Sequence, residues 1–545
     1  MGKLYRLILV CMVTTSFAIH ANAQWNEDLS ENLLVSELGK GGQDLVQTGK
    51  TSDNKVFIAW ISWENASAYV KLQLLDKDGN ALLGSGGMYV CKYPTPTFSS
   101  GFGFTVSADD CALIVNSDVR NGTDDGWKPY LYKINQRGEH VWSSEGISLL
   151  SEPGLSGIDP HVCTTSDHNI VVGFRQLSNQ GGGAKLMVTK LLANGSRAWG
   201  ANVKVADVNA IFSVIPSVND AFFVPYFEAF STSVGDYAVK KYTANGEEAW
   251  PEKVYIDESG MVKVQVEPSW VVDGNGGFVV GYRYTDGNIN HGAVQKFTSD
   301  GDYTLEDYEL ADLPVVCIAA DRSVYAACVN SSYGNASLSL TKYSETGEVV
   351  WRNDDLAEGS SWQYNLYGVV AVDNELFVIY RNSPTVDGML IEYSKVSPDG
   401  ETIARHLPVS TSPLNKDRGS LAVTDEQIVL AWTEKKSETG GKIYAQNIVR
   451  EGDTGILSQT GGNEMEFCIY QNTEGELNVE IRAREGGSAT VSLTASDGSR
   501  VAIWPVSLIQ GENSFSGLAG NLNPGLYLLS VQTGSGCVSG KFIIK

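Results

Sequence analysis

At 545 residues the chain is too long for one ordinary domain, so two or more hydrophobic cores are expected. Apolar residues make up 42% and charged residues 19%, which excludes a disordered chain. A formal net charge of −24 excludes a general attraction for nucleic acid or for an anionic membrane surface, and suits solubility outside the cell.

The N-terminus has the make-up of a secretory signal. Lys3 and Arg6 supply the positive start, Leu7 to Ile19 the apolar stretch, and Ala21-Asn22-Ala23 a small-residue cleavage site. Residues 1–23 are therefore expected to be removed. The mature chain would begin at Gln24 and carry −26, because two basic residues leave with the signal. Lipid attachment at Cys11 is disfavoured by the bulky Val10 before it. No later segment approaches the ~18–20 apolar residues of a membrane-spanning helix, so no membrane insertion is expected. The expected location is the exterior or the outer cell surface.

From there to about residue 455 the chain repeats. An Asp precedes an apolar run at Asp53, Asp110, Asp167, Asp220, Asp273, Asp321, Asp373 and Asp425. Each is followed after 26 to 28 residues by a turn glycine: Gly79, Gly138, Gly195, Gly246, Gly301, Gly347, Gly400 and Gly452. Successive Asp anchors lie 48 to 57 residues apart. Each unit reads as four short strands, with the Asp turn between the first two and the Gly turn between the last two. A lysine stands five residues before the glycine in six units, at 133, 190, 241, 296, 342 and 395, and strand alternation predicts that it is solvated. Tandem four-stranded units of this length predict an all-β β-propeller over residues 24–455, with eight blades and seven as the runner-up. The segment WNEDLSENLLVS (25–36) is similar to WSSEGISLLS (142–151), so the N-terminus is expected to complete the last blade.

The spacing of Gly138 to Trp142, Gly195 to Trp199, Gly246 to Trp250 and Gly347 to Trp351 resembles the repeat of pyrroloquinoline-quinone-type propellers. That resemblance implies a tryptophan docked between blades. It does not extend to the quinone site, because the adjacent-cysteine pair of such dehydrogenases is missing. No cofactor is expected, with structural calcium left open. LDKDGN (75–80) resembles the start of a calcium loop but has Gly87 where the closing acid belongs, and it reads better as an Asp-Gly hairpin turn.

After a linker at 456–462 the pattern changes. Residues 463–545 alternate as strands with tight turns and predict a small Ig-like β-sandwich. The elements SDGSRV (496–501), GENSFSGLAGNLNPGLYLLSV (511–531) and the terminal SGKFIIK (539–545) resemble the type A sorting domain of the type IX secretion system of Bacteroidetes. The resemblance implies the type IX machinery as partner through residues 463–545, and release or attachment at the cell surface. Seven cysteines survive signal cleavage, with no CxxC pair, which argues against zinc and leaves at least one thiol unpaired within the chain. Cys468 and Cys537 either bridge the first and last strands of the module or remain two thiols.

Functional residues are expected on the rim of variable loops, opposite the regular Asp and Gly turns. Candidates there are Trp63 and Glu64, then Arg120, Asp124, Asp125 and Trp127 in SDVRNGTDDGW. Asp159, His161, Arg175, Trp270, Tyr284, Asp286, Trp362 and Arg381 join them. Trp127 with Arg120 and the nearby acids has the composition of a sugar platform, or is a partly buried loop aromatic. His161 reads as a base, a metal ligand or a satisfied polar group. Three function classes follow, a purely structural surface-layer component being the third. One is a surface recognition module for an unknown protein or glycan. The alternative is a glycan-active hydrolase or lyase with acids in the central funnel.

Overall fold

The computed structural model describes residues 25–26, 28–37, 41–95, 101–208, 212–229, 234–256, 262–264, 266–285, 289–332, 335–361, 363–372, 375–385, 388–435, 440–449, 465–471, 477–483, 486–495, 500–515, 522, 525–533 and 537–544. The signal segment, the linker, Asp286, Trp362, Asp373 and Gly452 lie outside them, as do the side chains of Cys468 and Cys537.

Unit 1 sets the pattern. Strands Gln43–Lys50, Val56–Glu64, Ser67–Leu75 and Met88–Tyr89 pair antiparallel in that order. The same order recurs at 103–148, 155–206, 215–255, 269–310, 315–361 and 363–410. Asn415–Val423, Gln427–Lys435 and Gly441–Val449 form the last unit, whose fourth strand is Leu33–Leu34. The described residues thus hold eight four-stranded units, one for each Asp/Gly repeat. A short strand, Val262–Val264, ties units 4 and 5 into one nine-stranded sheet.

Each second strand carries an unbroken apolar run, such as VFIAWI, because each sheet is covered on both faces. Phe57, Ala59 and Ile61 pack with Ile114 and Tyr132 of unit 2. Ile58 and Trp60, on the opposite face, pack with Val429, Ala431 and Ile443 of unit 8. Similar cores join each consecutive pair of units. The last unit packs on the first, where Ser420 Oγ accepts from Thr48 N at 3.0 Å, and the ring closes.

This double covering corrects the reading of the repeat lysines as solvated. Lys133, Lys190, Lys241, Lys296 and Lys395 are all buried, and Lys342 nearly so. In a stacked sheet neither face meets water, so alternation cannot deliver a side chain to solvent. Each ammonium finds a partner at the turn rim instead. Lys133 pairs with Asp109 at 2.7 Å and Lys190 with the anchor Asp167 at 3.0 Å. Lys241 donates across the unit boundary to Ser299 O at 2.6 Å.

The tryptophans dock as the spacing implies. Trp142, Trp199, Trp250 and Trp351 each lie against the turn glycine of the following unit. Trp25 takes the same place against Gly79, with its indole N–H donating to Lys77 O at 2.7 Å. The N-terminal segment therefore supplies both the missing strand and the missing tryptophan of unit 8.

The C-terminal module has a three-stranded sheet, Met465–Gln471, Leu477–Ala483 and Gly511–Phe515. A second sheet contains Gly487–Ala495, Arg500–Leu508, Gly525–Thr533 and Cys537–Ile544. Val479 and Ile481 of the first share one core with Val491, Leu493, Leu529 and Val531 of the second, which makes the module a sandwich.

Candidate functional site

The first strand of each unit, or the connector just before it, lines a cavity of about 1130 Å³. Gln47, Phe104, His161 and Phe212 reach it from units 1 to 4. Glu267, Leu313, Tyr367 and Gly419 reach it from units 5 to 8. Since every unit contributes, the cavity lies on the axis of the ring.

Irregular backbone shapes its wall. Register breaks fall between Asp44 and Gln47, Ile158 and His161, Leu366 and Gly368, and Asp417 and Gly419. A bulge adds a residue to one strand and turns its side chain away from the regular alternation. Leu45 (φ 57°), Asp159 (φ 48°) and Leu313 (φ 42°) also take the left-handed conformation, which non-glycine residues adopt at a cost. The breaks in units 1, 7 and 8 lie in the half of the strand near the connectors and the second-to-third-strand loops, so the cavity belongs to the variable rim.

Four sequence candidates meet here: Asp159, His161, Arg175 and Arg381. Asp159 forms an ion pair with Arg175, the residue that pairs with Ile158 across the strand. His161 packs on Phe212 with ring centroids 4.6 Å apart, and burial pushes its imidazole down to about 4, so it is neutral at pH 7. Arg381 is only 9% exposed; its Nη1 donates to Lys416 O at 2.7 Å, and its Nε has no partner. Beside it Tyr367 is the extra residue of the unit 7 bulge, with an unpartnered hydroxyl and a phenol raised well above its ordinary value by burial.

The other candidates are placed elsewhere. Arg120 is locked into the boundary of units 1 and 2. It grips Asp118 through Nε at 2.9 Å and Nη2 at 2.6 Å, with the Tyr93 and Tyr130 ring centroids 4.1 and 3.6 Å away. Its fork is used up internally and is not open to a sugar. Asp124 and Asp125 form a short 3₁₀ turn, Thr123–Asp125, and half-buried Trp127 follows it. Trp63 packs on the core of units 1 and 2, and Glu64 accepts from Tyr89 at 2.7 Å. Trp270 packs into the core of units 4 and 5. Tyr284 is buried, with its hydroxyl on Tyr308 O at 2.7 Å. None of these lines the axial cavity.

Sequence reading missed Tyr367, Asn365, Glu267 and Asp417. The available signal was a glycine breaking the alternation of a first strand. A Cβ on Gly419 would stand 2.5 Å from Tyr367 Cδ1, so the glycine makes room for that ring. At the LDKDGN stretch, Asp76 accepts from the N–H groups of Asp78 and Asn80, as a hairpin turn does. No group of three or more metal-ligating side chains stands together among the described residues.

This is an all-β chain with a propeller-like arrangement. No protein-family model and no curated protein matches it. Among solved structures it is similar to the polysaccharide lyase Uly1, at 11% identity and a TM-score of 0.39, over 80% of this chain and 94% of that one. It is also similar to a PL25 ulvan lyase bound to -[GlcA(1-4)Rha3S]- (11% identity, TM-score 0.39, 69% and 100% of the two chains). A third is the β-propeller domain of the Trilobed protease from Pyrococcus furiosus (11% identity, TM-score 0.36, 65% and 96%). These likenesses concern architecture and not activity.

Proposed function

We propose that the protein is an exported recognition module that binds a glycan or a protein segment at the axial cavity and the rim around it. The observation that carries this reading is the cavity, built by all eight units and walled by bulged strands that present Asp159, Arg175, Asn365 and Arg381. A concave site with a few convergent polar groups on a rigid frame is the common form of a ligand site. A glycan-array and protein-binding screen on the full chain tests it, with Asn365→Trp as the blocking variant. Asn365 is exposed, so the substitution obstructs the cavity without entering the core. Binding lost at unchanged thermal stability supports the reading; binding unaffected by the variant overturns the axial site.

The second reading is glycan cleavage, favoured by three carboxylates at the same cavity: Asp159, Glu267 and Asp417. Release of new reducing ends or unsaturated uronic acid from a polysaccharide would establish it over simple recognition.

We further propose the route and setting. The signal at 1–23 and the sorting-domain resemblance of 463–545 support export through the type IX machinery of a Bacteroidetes cell. The quinone-type repeat supports the blade arrangement without a quinone, and eight blades is the ring we favour. The acidic charge supports a partner that is neither nucleic acid nor bilayer. Deleting residues 463–545 should leave the protein in the periplasm, and undiminished appearance outside the cell would refute this route.

A further inference from the structure

We infer that the axial cavity takes an acidic glycan, with a carboxylate or sulfate group seated against the Arg381 guanidinium. This rests on the reading that the cavity is the ligand site, and it specifies the chemistry recognised there.

Arg381 is the anomaly that carries it. A buried cation without a compensating anion is unfavourable, and folded chains pair such groups with carboxylates. The other arginines with little exposure follow that rule. Arg120 is bidentate on Asp118, Arg175 is paired with Asp159, and Arg283 holds Asp312 at 2.5 and 2.7 Å. Arg381 is as buried as any of them, yet among the described residues no carboxylate pairs with it. Its one bond goes to a neutral carbonyl, and its Nε–H is left without an acceptor.

Tyr367 stands at the same wall, half-buried, with its hydroxyl closed off inside it. The bulge inserts it, Gly419 gives its ring space, and its hydroxyl meets no acceptor. A buried cation on the cavity wall is best met by an acceptor that carries negative charge. Charge-assisted pairing of a guanidinium with carboxylate or sulfate oxygens is the strong form of hydrogen bond.

The surroundings favour a glycan over a peptide. Gln47, Asn365 and Asp159 offer donors and acceptors suited to hydroxyl groups, and Phe102 and Phe104 offer apolar faces. The first strands have their hydrogen-bonding edges on the cavity, but the bulges interrupt them. An added peptide strand would find no continuous ladder there.

Calorimetric titration of the full chain tests the inference. The probes are a glucuronic acid tetrasaccharide, its carboxyl-reduced neutral counterpart, a sulfated galactose tetrasaccharide and an acidic hexapeptide. The expected result is binding of one or both acidic sugars, with the neutral counterpart weaker by about tenfold or more. The two acidic sugars distinguish carboxylate from sulfate. Arg381→Met should weaken the acidic probe by a similar factor. Arg381→Met should also leave the melting temperature of the ligand-free protein unchanged or raised, because it removes an uncompensated charge. A clear fall in melting temperature would assign Arg381 a structural role and overturn the inference. Equal affinity for the acidic and neutral sugars would overturn the anion site while leaving the cavity reading intact. Binding of the peptide alone, or of no acidic sugar, would overturn the glycan class. In that last case the cavity reading is decided separately by the Asn365→Trp screen.

Discussion

Trp199 lies against Gly246, and the two belong to different units. The indole N–H of Trp199 donates to Ala244 O at 3.1 Å, in the turn that Gly246 closes. Gly246 has φ +83°, and a Cβ there would fall 2.9 Å from Trp199 Cε2. Gly246→Val therefore combines left-handed strain with a clash against a neighbouring blade. It should lower stability by about 2–4 kcal/mol in urea unfolding. Ligand affinity of the folded fraction should not change, because the turn stands on the rim away from the cavity. A variant as stable as the parent would contradict this account of the repeat.

Trp25 makes the same contact from the other end of the chain. Trp25→Ala should cost roughly 1–3 kcal/mol, and deletion of residues 25–36 more, since the paired strand goes with it. Thermal unfolding followed by far-ultraviolet circular dichroism reads both. If the deletion melted like the parent, the N-terminal strand would have no part in holding the ring.

Lys190 and Asp167 allow a test of the buried lysine row. Removing the carboxylate alone leaves an ammonium with 2% side-chain exposure and only a distant carbonyl, Asp220 O at 3.5 Å. Asp167→Ala should cost about 3 kcal/mol, whereas Lys190→Met should be close to neutral and should recover part of that cost in the double variant, the rest being the hydrogen bonds that Asp167 accepts from Thr165 and Asn169. Additive losses would mean that the pair does not interact.

His161 predicts a pH dependence of folding. Burial lowers its imidazole from 6.5 to about 4, so on acidification the unfolded chain takes up that proton first. The contribution of the neutral ring is complete above 6.5 and is lost as the pH falls toward 4. Urea midpoints across that window should decline in the parent, and the His161→Gln variant should remove that part of the slope. An unchanged slope in the variant would remove His161 as its source.

The cysteines should be silent in the native state. Cys91, Cys111, Cys163, Cys317 and Cys328 are free, and burial pushes the thiols of Cys163, Cys317 and Cys328 up to about 12. Thiol reagents should label these three only after unfolding. Rapid labelling of any of them in the folded chain would show a local opening at that unit boundary.

Much of the fold was legible because its signals are periodic. The Asp anchors mark turns in which their side chains accept local hydrogen bonds or bridge units, as Asp220 does from Ser166 Oγ at 2.6 Å. The glycines mark left-handed turns, and the similarity of 25–36 to a fourth strand shows as the pairing of Leu33 with Ala445. The lysines were misread because alternation sorts side chains between two faces but does not say whether either face meets water. The site was half legible. Arg175 and Arg381 lie in second strands, just past their apolar runs, and line the cavity from there. Tyr367 comes from a bulge, and bulges break the periodicity on which sequence reading depends. Arg120 misled for a different reason: its charge marked a site, but Asp118 two residues earlier had already claimed it.

The strand that finishes unit 8 is made more than four hundred positions before its partner. Until Ile443 and its neighbours exist, Leu33 and Leu34 have nowhere to pair, and a chain emerging from the ribosome must carry them unsatisfied. The closing contact has the longest loop to shut in the ring, which slows it relative to the hairpins within each unit. Meanwhile the third strand of unit 8 presents an open edge that another chain's N-terminus could fill. Exchange of N-terminal strands between two molecules is therefore the misassembly this architecture invites, and crowding newly made chains together is the condition that would promote it.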